Sequence, residues 1–164
     1  MTLLLSTLST PIGNLNLIAD EHILLAANLS NLKALKESLS QEDSERDMKS
    51  VSRIPIISDL ISDYFEGDIA ALNAISVRQP GAHFSQEAWK AMKKVKAGKV
   101  ISYGELAERA GSPAAVRAAG SACAKNAIVL IVPCHRIVKT GGALGNYAYG
   151  LDKKAWLLRH EGAL

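Results

Sequence analysis

Cysteine is scarce in this chain: Cys123 and Cys134 are the only two thiols in 164 residues. Two are too few for a disulfide framework, and neither stands at the spacing of a zinc site, so the expectation is a free thiol in a reducing compartment and no metal. Long apolar runs are lacking too. The longest, residues 127–132, falls far short of the roughly 20 residues that a membrane-spanning helix needs. Met1-Thr2-Leu3-Leu4-Leu5 lacks the basic start of a secretory signal, so a soluble cytoplasmic protein is expected. Internal repeats and low-complexity segments are also missing. What remains is an ordinary globular composition, 48% hydrophobic and 21% charged, long enough for one compact unit or two small ones.

The net charge of +3 conceals an asymmetry. Gln79-Pro80-Gly81 is a natural turn and candidate linker. Before it, residues 1–80 hold 6 Lys and Arg against 11 Asp and Glu, a net of −5; after it, residues 81–164 hold 13 against 5, a net of +8. The second half is therefore the candidate binder of a polyanion, although a solvated basic face has the same composition.

Residues 2–8, 14–19 and 22–29 are short segments rich in Leu and Ile, separated by the turn signals Pro11-Ile12-Gly13 and Asp20-Glu21. They read as an antiparallel meander. Residues 38–53 are polar without an apolar period, which predicts a surface connection entered by a short helix from Asn31. Ile57, Leu60, Ile61, Tyr64 and Phe65 recur at helical spacing, and residues 70–77 are a candidate strand.

The second half reads as helices. Residues 85–95 place Trp89, Met92 and Val95 at helical spacing. Ser102-Tyr103-Gly104-Glu105 fits a capping box, so a helix is expected to start at Tyr103 and stop at Gly111. Ser112-Pro113 then supplies an N-cap and a first-turn proline for a second helix. Two short helices meeting in a tight turn are the sequence form of a helix-turn-helix, which many non-binding helical hairpins share. On the second helix Val116, Ala119, Gly120 and Cys123 are expected to form the buried side, with Arg117 and Lys125 the only long side chains facing outward. Such a helix has too few donors and acceptors to distinguish many base pairs. Its small residues, among them Ser112, Ala114 and Ala115, instead suit close approach to a sugar-phosphate backbone. Arg117 is either a solvated charge or a side chain that enters the base stack.

Cys134 follows the apolar stretch ending Val132-Pro133 and precedes His135 and Arg136. A cysteine beside such a run is commonly inert core. Glu161 changes the weighing. It stands at the C-terminal end of a final helix capped by Asp152 and carrying Trp156, Leu157 and Leu158, where a negative charge is unfavourable. A partner elsewhere explains it, and His135 is the candidate. A Glu161–His135 hydrogen bond would orient the imidazole to take the Cys134 proton, directly or through water. Imidazolium, with Arg136, would then lower the thiol pKa into the range of roughly 3.5 to 7.5 seen for activated cysteines. This chemistry serves a papain-like hydrolase or an alkyl acceptor equally well.

Pro133-Cys134-His135-Arg136-Ile137-Val138, Gly145-Asn146-Tyr147 and the closing Trp156-Leu157-Leu158-Arg159-His160-Glu161-Gly162 together resemble the methylated-DNA–protein-cysteine methyltransferases. The likeness is close over residues 82–162 and weaker over the first 80, where Ser9-Thr10-Pro11-Ile12-Gly13 looks like the family's opening hairpin. The resemblance implies an α+β fold. Residues 1–80 would be a ribonuclease H-like antiparallel sheet plus helix, and residues 81–164 a winged-helix-like helical domain with the helix-turn-helix. It implies irreversible transfer of the O6-alkyl group of a guanine flipped from duplex DNA, without a cofactor, with O4-alkylthymine as a second candidate substrate. Cys134 would be the acceptor, His135 the base acting through water and Glu161 its orienter. Tyr103 would bind the base, Asn126 would tie the recognition helix to the cysteine segment, and Arg117 would fill the gap in the duplex. Val132, Tyr147, Ala148, Val129 and Tyr149 would line the pocket, and Ser112, Ala114, Ala115 and Arg136 would contact DNA. The partner would be double-stranded DNA containing O6-alkylguanine, met by a monomer whose cooperativity on DNA the sequence leaves open.

Three positions depart from relatives: Ala148 where some have serine, Tyr149 where many have glycine and Val129 where some have proline. They predict poor acceptance of a benzyl group. The chain also lacks the length and the cysteines for the zinc module of the bifunctional sensor relatives. The rival readings are a non-catalytic DNA-binding regulator and a Cys-His-Glu hydrolase of small esters or amides.

Overall fold

Short alternating segments separated by tight turns produce a meander at the start of the chain. In the computed structural model, which describes residues 2–164, β1 (Leu3–Thr10), β2 (Gly13–Asp20) and β3 (Ile23–Asn28) pair antiparallel. Pro11 and Ile12 form the first turn between paired Thr10 and Gly13. The Thr10 hydroxyl donates to the Gly13 carbonyl at 2.6 Å and accepts from the Ile12 amide at 3.2 Å. Across the sheet Thr7 donates to Asn16 at 2.8 Å and Asn16 to Asn28 at 3.1 Å, so the buried amides are satisfied.

Two short strands flank the meander, β4 (Met48–Ser50) beside β1 and β5 (Ser76–Val77) beside β3, both parallel to their neighbours. The order is β4-β1-β2-β3-β5, and the sheet is mixed rather than wholly antiparallel. Residues 38–53 are consequently more than a surface connection: they contain α2 (Gln41–Ser44) as well as β4. Their polarity hides this because β4 is a three-residue edge and the buried residue of α2 is Asp43, held by Arg46 and Arg78. α1 (Leu32–Glu37) starts at Asn31, whose side chain accepts from the Ala34 amide at 2.8 Å. α3 (Ile57–Phe65) buries Ile57, Ile61 and Tyr64. Residues 70–77 form a 3₁₀ turn, Ala71–Ala74, before the two residues of β5. Leu3, Leu5, Ile18, Leu25, Ala26, Leu35 and Leu39 make a continuous core cluster.

The second half contains α4 (His83–Lys93), β6 (Ile101–Ser102), α5 (Tyr103–Arg109), α6 (Val116–Lys125), β7 (Ile137–Val138) and α7 (Leu151–His160), with β6 and β7 paired in parallel. Ser102 caps α5 by accepting from the Glu105 amide at 3.1 Å; the Glu105 carboxylate binds Arg109 at 2.8 Å, so the expected box is half formed. Gly111, at φ +96°, ends that helix. α6 begins at Val116 and not at Pro113. Ser112 to Ala115 close a separate turn, with the Ala115 amide donating to the Ser112 carbonyl at 2.9 Å, and the non-helical ψ of +44° at Ala115 delays the helix. α7 is likewise capped by Gly150, with Asp152 inside its first turn, where its charge suits the helix N-terminus.

The chain divides into two units. One holds the residues up to Pro80 together with Ala127–Ile131; the other holds Gly81–Asn126 and Val132–Leu164. The short return belongs to the sheet unit because Ile128 bridges to Ala27. The Ala27 amide donates to Ala127 O at 2.9 Å, the Val129 amide to Ala27 O at 3.0 Å, and the Ala127 amide to Gln79 Oε1 at 2.8 Å. Among the described residues no helix is long and apolar enough to cross a membrane.

Candidate active site

The cysteine sits on a turn that leaves its side chain at a cavity. Pro133 cannot donate, the Cys134 amide bonds back to Val132 O at 2.9 Å, and Cys134–Arg136 follow as a single 3₁₀ turn. The Cys134 sulfur lines a cavity of about 710 Å³. Burial pushes its thiol up, and the Asn126 amide and the Lys154 charge pull against that push. The thiol is therefore held mainly in its neutral form, contrary to the low pKa expected from its neighbours. His135 and Arg136 do not reach it as charges, because both are bound to Glu161.

Glu161 is the hub of a buried polar cluster. His135 Nε2 stands 2.8 Å from Oε2, while Arg136 Nε reaches Oε1 and Nη2 reaches Oε2, each at 2.9 Å. Arg136 Nη1 also donates to Val95 O at 2.7 Å. The position of Glu161 follows from the end of α7: Gly162, at φ +81°, allows the Ala163 amide to reach Leu158 O at 2.8 Å and the Gly162 amide to reach Arg159 O at 3.0 Å. Burial alone would raise the Glu161 carboxyl, but the His135 and Arg136 hydrogen bonds hold it well below the usual carboxylate range. Burial pushes His135 down despite the carboxylate, so its imidazole is neutral near pH 7. With the carboxylate as acceptor, the Nε2 nitrogen carries the proton and Nδ1 keeps its lone pair. Nδ1 is buried and has no hydrogen-bond partner among the described residues.

Asn126 joins the end of α6 to this turn, donating to Val132 O at 2.8 Å and lying 3.5 Å from the Cys134 sulfur. Tyr103 lines the same cavity, and its hydroxyl accepts from the Asn146 amide at 3.4 Å. Gly145 permits that approach, since a Cβ there would come within 2.9 Å of the hydroxyl. Arg117, Tyr147 and Ala148 also line the cavity.

Other expected site residues lie elsewhere. Arg136 is buried and forked onto a carboxylate, so it is no DNA contact but part of the ion-paired interior. Val129 belongs to the sheet unit, and its amide donates to Ala27 O, a bond that proline would remove. Val132 is fully buried, with its carbonyl held by Asn126, and Tyr149 packs edge-on against Tyr147, ring centroids 5.8 Å apart; neither lines the cavity. Ser112, Ala114 and Ala115 occupy the turn between α5 and α6, with Ala114 exposed. Cys123 is not core. The buried residues of α6 are Ala119 and Ala122, whereas Val116, Gly120, Cys123 and Ala124 face the cavity. Lys154, which the motif reading passed over, is entirely buried beside the site. Its place at i−3 and i−4 from Leu157 and Leu158 was the available signal.

The family described as "6-O-methylguanine DNA methyltransferase, DNA binding domain" matches residues 83–163. The methylated-DNA–protein-cysteine methyltransferase of Salmonella typhimurium is 36% identical across the whole chain and 98% of its own length. That of Methanosarcina acetivorans is 34% identical over 94% of this chain and 95% of its own. A crystal structure of Mycobacterium tuberculosis OGT in complex with DNA aligns with a TM-score of 0.79 and 30% identity, covering 98% of this chain and 93% of that one. With full-length relatives above 30% identity and the Cys134–His135–Glu161 arrangement at its cavity, this chain belongs to the methylated-DNA–protein-cysteine methyltransferase family.

Proposed function

We propose that Cys134 accepts the alkyl group in direct reversal of guanine O6-alkylation, with duplex DNA as the partner. The observation that carries this reading is the pair of facts at His135: one ring nitrogen fixed on Glu161 and the other buried with its lone pair uncommitted. A water between Nδ1 and the sulfur takes the thiol proton and passes it to the imidazole. The sulfur attacks the alkyl carbon, the S–C bond forms as the C–O6 bond breaks, and the electron pair passes to the guanine. The Tyr103 hydroxyl at the cavity edge bonds the departing base, whose negative charge it stabilises. The thioether product offers water no carbonyl to attack, so each molecule reacts once.

The alkyl carbon on O6 of a stacked base cannot reach a recessed thiol, and the base must leave the helix. Arg117, exposed on α6 at the mouth of the cavity, fills the space it vacates. We read the sheet unit as a ribonuclease H-like scaffold and the other as a winged-helix-like reader of the backbone, working in the reducing cytoplasm. O4-alkylthymine presents the same alkyl–oxygen bond and is the second substrate to try.

Incubation with duplex carrying O6-methylguanine, followed by intact and peptide mass, tests the proposal. One methyl per molecule on Cys134 is expected, and none in Cys134→Ala, which should still bind the duplex. Turnover beyond one equivalent would favour the hydrolase instead, and an unchanged mass the non-catalytic regulator.

A further inference from the structure

Lys154 has no part in the proton path above, yet α7 buries its side chain completely. Taking an ammonium out of water is costly unless partners hold it. Here they do. Nζ donates to the Ile137 carbonyl, 2.6 Å away on the segment that carries Cys134, and to the Asn146 carbonyl, 3.1 Å away in the loop that walls the cavity. The same Nζ stands 5.9 Å from the centroid of the Tyr103 ring. One cation thus touches the cysteine segment, the pocket loop and the first residue of α5.

We propose that Lys154 is a positioning residue for alkyl transfer: it pins the Asn146 loop to the segment bearing Cys134, and its fixed charge favours the thiolate at that sulfur. The inference rests on Cys134 as the acceptor. A neutral side chain of the same length would fill the space and avoid the desolvation penalty, but would supply neither the two donors nor the field. Burial is the largest influence on both groups, raising the thiol and lowering the ammonium, and each opposes that influence on the other. Among the described residues the cation that lines the cavity, Arg117, is exposed to solvent at its mouth. Cys123 of α6 is itself pushed up to about 12 by burial, the Tyr103 hydroxyl is raised by burial, His135 is held neutral, and Arg136 is neutralised by Glu161.

The experiment compares the full-length wild type with Lys154→Met and Lys154→Arg. The rate of Cys134 carbamidomethylation by iodoacetamide, followed by peptide mass from pH 6 to 11 or above, titrates the thiol. Lys154→Met is expected to move the midpoint up by about one pH unit and to slow methyl transfer at pH 7 by about tenfold, with the rate recovering above the new midpoint. Lys154→Arg should keep the wild-type midpoint. A Lys154→Met midpoint equal to wild type would overturn the proposal whatever happens to the rate, because a purely structural tie leaves the thiol titration in place. Should the methionine variant fail to fold, the wild type still decides. Methylating Cys134 removes the anion, so the Lys154 side-chain NMR resonances should titrate at lower pH in the methylated protein, and identical titrations would overturn the idea. Iodoacetamide reads the thiol whether or not it is the acceptor, so a methyl group found on another residue would count against the acceptor assignment alone.

Discussion

Arg136 and Arg117 are both arginines of a basic half, and their surroundings give them opposite roles. Arg136 is buried on a carboxylate with a further bond to Val95, so Arg136→Met removes both guanidinium bonds from the buried Glu161 carboxylate. Loss of one partner of a buried ion pair costs about 3–5 kcal/mol. Denaturant melts should register a loss of that size, while the salt dependence of DNA binding by the folded fraction stays as in wild type, since no phosphate contact is removed. A reduced salt slope would return Arg136 to the DNA surface. Arg117→Ala should behave inversely. Stability is expected to change by less than about 0.5 kcal/mol, and repair in duplex should fall further than reaction with the free alkylated base, because only the duplex needs a vacated stack filled. Equal losses on both substrates would remove that role. Pro133-Cys134-His135-Arg136 and the misplaced charge of Glu161 made the centre of the site legible in sequence. The fork from Arg136 was not, because only the folded path of α7 decides which side chains a carboxylate at its end will meet. Lys153 and Lys154 show the same limit: adjacent and chemically identical, one is half-buried at the surface and the other fully enclosed.

Among the elements, helix existence was easier to read than helix phase. α4 and α5 lie near their expected places, and Ser102 caps as its spacing suggested. α6 was read with Val116, Ala119, Gly120 and Cys123 inward, yet its core contact runs through Ala119 and Ala122. Alanine-rich sequence carries little periodic signal, and the deciding contact, Trp89 Nε1 donating to Ala122 O at 2.9 Å, comes from a residue 33 positions away. Gly81 supports that contact. A Cβ there would fall 2.5 Å from the Trp89 ring, so Gly81→Ala must displace the indole and lengthen its hydrogen bond. Overpacking of this kind costs about 1–3 kcal/mol. Gly111→Ala makes a useful contrast, since nothing lies within 4 Å of its Cβ and the penalty is confined to a φ of +96°. That substitution should cost about 1–2 kcal/mol without altering Trp89 fluorescence, whereas Gly81→Ala should shift it. Indistinguishable spectra would disconnect Gly81 from the indole.

For the whole molecule, the acidic half holds a network that makes stability depend on pH. Asp20 is lowered from its ordinary value of 3.8 chiefly by the Arg46 hydrogen bond; Asp43 is pushed up by burial but lowered overall by Arg78 and Arg46. Folded-state values below the unfolded one mean that both carboxylates contribute fully above about pH 4, and that the contribution is lost as pH falls through the lower folded values. Asp43→Asn should therefore have a lower urea midpoint than wild type at pH 7, with the gap closing toward pH 2. A gap that stays constant would show that the network's worth is not ionic.

The five residues from Ala127 to Ile131 give this chain an unusual rule of inheritance. They lie late in the sequence yet bridge to the sheet laid down by the first 80 residues, and the turn that bears Cys134 follows as soon as they end. A hybrid of two relatives joined at residue 80 would carry a β3 from one parent and its Ile128 partner from the other. Crossovers that also transfer 127–131 with the first half should yield folded hybrids more often than single joins do, so drift in the sheet and drift just before Cys134 are bound to proceed together.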